Sequence, residues 1–205
     1  MAEDAEADHF FFYEPEKRGL LPIQSFHIPK RLARTVRKQP FKVTINTAFT
    51  DVIDGCAEAT DDRPKTWINQ SIRDIFIILH QARYAHSVEC WDEDGTLVGG
   101  LYGLALGGVF FGESMFSRKT DASKIALVHL MARLWAGGFV LCDIQFINEH
   151  LTQFGAYEIP QSEYLGLLNR AMGGEARFSR LGLGHVYANE CELVTAYIKY
   201  VRERT

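Results

Sequence analysis

Val109-Phe110-Phe111, then Gly112-Glu113-Ser114-Met115-Phe116-Ser117-Arg118, then a long helical segment, then Cys142-Asp143-Ile144-Gln145: the reading of residues 109–145 decides the fold. The apolar run predicts a strand from Val109 to Phe116. Ala122 to Trp135 reads as a helix that stops at Gly137-Gly138, and Phe139 to Phe146 as a second strand. Two strands flanking a helix can bring Glu113, Asp143 and Gln145 to one end of a sheet. Glu113 leaves its strand among apolar residues, and a buried carboxylate needs a cation or donors. Arg118 or Lys124 would serve, and so would the ammonium group of a ligand. Asp143 and Gln145, two apart on a strand, face the same way. They form either a satisfied polar ladder or a pair in which Asp143 fixes the Gln145 amide so that its carbonyl oxygen accepts a hydrogen bond from an amine. Glutamine is too weak a base to remove that proton alone. Leu127, Leu130 and Leu134 share one helical stripe, with Leu101 a candidate neighbour. The stripe is core unless a pocket opens beside Glu113, which it would then make aliphatic or aromatic in preference.

Working outward, His86 to Trp91 and Leu97 to Leu106 form a hairpin about Asp94-Gly95, and Gly107-Gly108 turns the chain into the Val109 strand. Upstream, Phe41 to Asn46 alternates as a strand and Thr47 can cap a short helix through Cys56. A helix from Gln70 to Tyr84 points Ile72, Ile75, Phe76 and Leu79 inward, with Trp67 at its entry as a staple or a stacking surface. Downstream come a short helix from Asn148 to Phe154, a strand at 156–159 and a helix from Ser162 to Met172. The pattern then loosens until Cys191 to Arg202, a terminal helix. Three antiparallel strands, a helix, a strand, a helix and a strand is the order of the N-acetyltransferase-like α+β fold, a mixed sheet flanked by helices. Acyl-CoA users have a glycine-rich turn after the third strand, whose N–H groups hold pyrophosphate at the helix start. Here Arg118-Lys119-Thr120-Asp121-Ala122-Ser123 lacks glycine, and Thr120 or Asp121 is the expected cap. A carboxylate at that place argues against CoA.

Pro29 suits the first turn of a helix in which Ile28, Leu32 and Val36 recur four apart. The segment from Lys30 to Lys38 carries five basic residues and no acid, in a chain with 26 acids against 22 Lys and Arg and a net charge of -4. Such a face is either simply solvated or a surface for a phosphate backbone, and its one-sidedness favours the second. At 205 residues and 47% hydrophobic composition the chain suits one well-buried domain with a small appendage. Cys56, Cys90, Cys142 and Cys191 form no CxxC pair, so reduced thiols are expected and a structural zinc is not. No stretch approaches the roughly 18 apolar residues of a spanning helix, and the start is acidic where a signal peptide is basic. A soluble, cytosolic protein is expected. Residues 1–9 read as a flexible end, and the rings of Phe10, Phe11, Phe12 and Tyr13 either plug a core edge or line a cleft.

On these residues the sequence resembles the bacterial leucyl/phenylalanyl-tRNA protein transferases from about Phe12 through Met172. The blocks that carry the resemblance are His27-Ile28-Pro29, Thr66-Trp67-Ile68, His86-Ser87-Val88-Glu89, Val98-Gly99-Gly100-Leu101-Tyr102-Gly103, Phe111 through Arg118, Ala122-Ser123-Lys124, Asp143-Ile144-Gln145, and Phe154-Gly155-Ala156 with Glu158-Ile159-Pro160. The resemblance implies transfer of Leu or Phe, less well Met, from aminoacyl-tRNA to proteins beginning with Arg or Lys, marking them for N-degron proteolysis. It implies that Glu113, beside Gly112, holds the donor's α-amino group and that Leu101, Leu127, Leu130 and Leu134 form the side-chain pocket. Asp143 and Gln145 become the catalytic pair, and Trp67 lies beside the terminal adenosine. Lys30, Arg31, Arg34, Arg37, Lys38 and Lys42 meet the tRNA acceptor stem. The ester is already activated, so no ATP, metal or CoA is needed. No membrane contact and a monomeric state are expected.

Relatives carry a further N-terminal segment, so residues 1–26 read as the remnant of a small N-terminal domain, 27–172 as the catalytic domain and 173–205 as a tail. Some relatives place aromatic residues where this helix has Leu130 and Leu134, so a roomier pocket that still takes Leu and Phe is expected. Two rivals stand beside this reading: a CoA-dependent N-acetyltransferase on the same fold, and a tRNA-binding module without catalysis.

Overall fold

The hairpins anticipated on either side of Gly95 and Gly107 form the middle of the sheet in the computed structural model, which describes residues 13–59, 65–178 and 187–204. The strands are β1 (Lys17–Leu21), β2 (Lys42–Ile45), β3 (Ala85–Trp91), β4 (Leu97–Leu106), β5 (Val109–Ser117), β6 (Leu141–Gln145) and β7 (Tyr157–Pro160). The helices are α1 (Lys30–Lys38), α2 (Phe49–Ala57), α3 (Gln70–Gln81), α4 (Ala122–Gly137), α5 (Glu149–Thr152), α6 (Gln161–Met172) and α7 (Glu190–Arg202). The strands form one sheet in the order β2-β3-β4-β5-β6-β1-β7. Every adjacent pair is antiparallel except β5 and β6. The expected flexible end and the rings of Phe10 to Phe12 lie outside the described residues, as do 60–64 of the expected loop.

The sheet crosses the first expected domain boundary through β1, and the packing of α7 crosses the second. β1, which sequence periodicity did not mark, sits between β6 and β7 and makes residues 17–21 an interior strand of the main sheet. Gly19 makes this possible, since a Cβ there would lie 3.0 Å from the backbone of Phe146 as the chain leaves β6. The tail is corrected likewise: α7 buries Leu193, Val194, Tyr197, Ile198 and Val201 in the same cluster as α4. Burying such side chains fully contributes roughly 1.5–3 kcal/mol each. The Tyr197 hydroxyl donates to the Ile23 carbonyl oxygen at 2.7 Å, and Arg133 of α4 pairs with Glu190. α4 is therefore covered on all sides, as a helix apolar around its circumference must be.

Local start signals were partly misplaced. Thr47 makes no cap for α2; it hydrogen-bonds the buried Glu89 carboxylate, which Thr44 also reaches at 2.6 Å. Asp121 holds the N-cap position of α4, but its side chain makes no capping hydrogen bond. Asp121 adopts φ 65° and pairs with Arg31 at 2.9 Å and Lys124 at 3.4 Å, while the Ser123 N–H donates to Ser117 Oγ at 3.2 Å. Because Asp121 is already paired, its charge is a weaker argument against CoA than the sequence alone suggests. On α3 only Ile72 is buried, and Ile75, expected inward, is 42% exposed. Its start is capped by Asn69, which accepts from the Ile72 N–H at 2.9 Å.

Candidate active site

β5 and β6 run parallel and pair only through Val109 with Leu141, Phe110 with Cys142 and Phe111 with Asp143. β5 then follows β4 to Ser117 while β6 follows β1. A cavity of about 260 Å³ opens where they part, lined by Gly112, Glu113, Ser114 and Met115 from β5 and by Cys142 and Ile144 from β6. Leu101 from β4 and Leu127 and Leu130 from α4 also line it, together with Leu21, Phe146 and Leu151. Five expected residues thus meet there: Leu101, Gly112, Glu113, Leu127 and Leu130. Leu134, one turn beyond Leu130, is fully buried in the core and is not part of the wall, because α7 covers that end of the stripe. Trp67 is half-buried against the cluster of Phe49, Val52 and Ile72 and lines no part of the cavity.

Glu113 makes no hydrogen bond or ion pair among the described residues. The two cations offered to it by sequence are engaged elsewhere, Arg118 with Glu58 at 2.5 Å and Lys124 with Asp121. Burial first, and then the negative charge of Asp143, push its carboxyl up to about 7, with Arg18 opposing. A carboxyl in that condition is stabilised by any cation that enters the cavity.

The expected Asp143 and Gln145 ladder is not built by strand alternation. Gln145 takes φ 58°, the left-handed region that side-chain-bearing residues seldom adopt, so the period of two fails at the residue that needed it. Its backbone N–H donates to Asp143 Oδ1 at 2.8 Å. Its amide is satisfied when the NH2 faces the carbonyl oxygens of Gly112 at 2.9 Å and Ile144 at 3.2 Å. Asp143 therefore fixes the backbone of Gln145, and Gly112 fixes the amide. The amide oxygen is left as the acceptor.

Asp143 is buried and ringed by donors. Arg18 Nε lies 3.0 and 2.9 Å from its two oxygens, and the Tyr164 hydroxyl donates to Oδ2 at 2.5 Å. The Arg18 guanidinium also stands 5.0 Å from the centroid of the Tyr164 ring. Burial, and then the Asp143 carboxylate, raise the pKa of the Tyr164 hydroxyl, which keeps it a donor. With the Gln145 N–H these contacts use most of the acceptor capacity of a carboxylate. Sequence reasoning missed Arg18 and Tyr164. The one available signal was that a buried Asp143 needs a cation, but Arg18 is 125 residues away along the chain.

The basic residues divide by helical position. Lys30, Arg34 and Arg37, at i, i+4 and i+7, line a groove of about 490 Å³ between α1 and the end of α7. Arg31 turns instead to Asp121, Lys38 is exposed, and Lys42 borders a different hollow beside β2.

Residues 20–169 match the family model described as leucyl/phenylalanyl-tRNA protein transferase. A protein of that name from Phenylobacterium zucineum is 55% identical over 182 residues, 89% of this chain and 82% of its own length. Those from Paramagnetospirillum magneticum and Rhodopseudomonas palustris are 54% and 52% identical, spanning 88% and 89% of this chain and 86% and 81% of theirs. A solved structure, L-PGS from Bacillus licheniformis, is similar with a TM-score of 0.44 and 12% identity over 66% of this chain and 49% of that one, a likeness that adds nothing to the assignment. With half or more of its length matched and relatives this close, the chain belongs to the leucyl/phenylalanyl-tRNA protein transferase family.

Proposed function

We propose that this protein moves Leu or Phe, and less well Met, from aminoacyl-tRNA to the N-terminal Arg or Lys of acceptor proteins, forming a peptide bond that marks them for N-degron degradation. The carrying observation is the cavity at the parting of β5 and β6, lined by leucines and by a Glu113 that has no hydrogen-bond or ion-pair partner among the described residues. Its volume of about 260 Å³ is below the range of roughly 300–1,000 Å³ usual for drug-sized ligands and suits one amino-acid side chain.

In this reading the donor side chain lies against Leu101, Leu127 and Leu130 while its α-ammonium pairs with Glu113. The Gln145 amide oxygen accepts a hydrogen bond from the acceptor's amine and aims the nitrogen lone pair at the ester carbonyl. The new C–N bond forms as the ester C–O bond to the terminal ribose breaks, and the proton lost by the amine ends on the departing ribose oxygen. Asp143, held by Arg18 and Tyr164, keeps Gln145 in its left-handed turn. Orientation supplies much of the rate, because the ester is already activated. Trp67, which sits away from the cavity, would meet the donor only through the terminal adenosine outside it. Lys30, Arg31, Arg34, Arg37, Lys38 and Lys42 would meet the acceptor stem, a reading supported most by the groove that Lys30, Arg34 and Arg37 share. Two parallel strands that part to admit an acyl donor also support an N-acetyltransferase-like ancestry for the fold. A cytoplasmic setting and a monomeric state belong to the same proposal.

Transfer of labelled Leu from its tRNA to a peptide beginning with Arg tests the proposal. Peptide-bond formation is expected. Binding of the tRNA without transfer would replace it with the non-catalytic module, and acetyl transfer from acetyl-CoA with the other rival.

A further inference from the structure

α7 lies beyond the residues matched by the family model, yet it completes a surface that the basic helix alone does not make. The groove beside α1 is lined by Lys30, Arg34 and Arg37 from that helix and by Arg202 from the last turn of α7, over a floor that includes Phe26, Ile28 and Val201. Two segments remote in sequence are held together there by the packing of α7. The Tyr197 hydroxyl donates to the Ile23 carbonyl oxygen at 2.7 Å, the Tyr200 hydroxyl reaches the Gln24 side chain, and the Tyr197 ring stacks on Phe26 at 6.5 Å. Arg202 is thereby placed by a docked helix.

Lys30, Arg34, Arg37 and Arg202 make no ion pair among the described residues, in a chain whose net charge is -4. Arg31 and Lys124, by contrast, are both paired with Asp121. Four like charges along one groove repel one another and persist without an internal acid; the partner they fit is a polyanion. From Lys30 to Arg37 the helix rises roughly 10 Å. A nucleic-acid duplex presents a charge about every 1.7 Å along its axis, so several phosphates face such a span.

We infer that Arg202 of α7 joins Lys30, Arg34 and Arg37 in one groove that binds the phosphate backbone of the tRNA. The inference rests on the proposed tRNA-binding role of α1 and extends it to a helix outside the matched family region.

The test measures binding of uncharged leucine tRNA to the full chain and its Arg202→Ala, Arg202→Lys and Arg34→Ala variants across a salt series. Arg202→Ala should weaken binding about fivefold at low salt and lower the slope of log affinity against log salt by about one, as loss of one phosphate contact does. Arg202→Lys should stay within about twofold of the parent, which separates lost charge from lost packing. If Arg34→Ala weakens binding and Arg202→Ala changes neither affinity nor slope, α7 is a bystander and the inference fails alone. If neither variant changes either quantity, the tRNA-binding reading of α1 fails with it. An Arg202→Lys variant as weak as Arg202→Ala would also overturn the inference, since packing would then be the cause.

Discussion

The Tyr164 hydroxyl lies 2.5 Å from Asp143 Oδ2, so a residue of α6 holds the carboxylate that in turn shapes the end of β6. Removing that donor leaves one oxygen of a buried carboxylate with one partner fewer. Arg18 still reaches Oδ2 at 2.9 Å, so Tyr164→Phe should cost about 1.5–3 kcal/mol in unfolding free energy, the usual worth of one hydrogen bond to a charged group. It should lower kcat about tenfold while the KM for aminoacyl-tRNA changes about twofold or less, since Gln145 is misplaced but the donor pocket is intact. Steady-state kinetics beside urea unfolding check it. A rise in KM with kcat preserved would place Tyr164 in donor binding instead.

Glu113 gives a pH dependence of definite sign. Its folded pKa of about 7 exceeds the ordinary 4.5, so the folded state binds the proton more tightly than the unfolded chain. The contribution to stability is fully present below about pH 4.5 and is lost as pH rises through about 7. Glu113→Gln removes the loss. The melting temperature of the variant minus that of the parent should be a few degrees higher at pH 8 than at pH 4. An equal difference at both values would mean that Glu113 is not desolvated as described.

Much of this site was legible because its residues are close in sequence and regular in pattern. The meander was marked by Gly95 and Gly107, α4 by its apolar residues, and the place of Glu113 by the strand that holds it. Those signals are local. β1 was not legible: its five residues include Gly19 and end beside Pro22, and its partners lie more than a hundred positions away. Arg18 was missed with it, and Tyr164 looked like one more residue of the expected helix from Ser162 to Met172. The Gln145 turn could not be read either, since nothing in Asp143-Ile144-Gln145 announces a positive φ. Leu134 shows the opposite error: helical spacing placed it with Leu127 and Leu130, and only the docking of α7 decides that it is core.

Gly99 tests whether the contact between β4 and α4 shapes the pocket. A methyl group there would meet Ala122 Cβ at 2.5 Å and push the start of α4 from the strand that carries Leu101. Gly99→Ala should destabilise the fold by about 1–3 kcal/mol through overpacking. It should also raise the KM for the donor several-fold, because Leu101 of that strand and Leu127 of α4 both line the cavity. A destabilised variant with parental KM would detach the pocket from this packing.

The leucine-lined wall sets the order of donors. Leu and Phe should be transferred at comparable kcat/KM, and Met less well. Val and Ala should be slower by about tenfold or more, since one missing methylene in an apolar pocket is worth roughly 1–3 kcal/mol of discrimination. A set of charged tRNAs competing for one Arg-initiated peptide checks this. Equal transfer of Val or Ala would refute the role given to Leu101, Leu127 and Leu130.

The central claim, that Glu113 grips the donor's α-ammonium, is tested most directly by leucyl-tRNA whose amino group carries an acetyl cap. The parent protein should transfer the capped amino acid at least about a hundredfold more slowly than the free one, as losing one partner of a buried charge pair costs about 3–5 kcal/mol. In Glu113→Ala the two donors should differ by less than about tenfold, because the group that told them apart is gone. Undiminished discrimination in that variant would contradict the account.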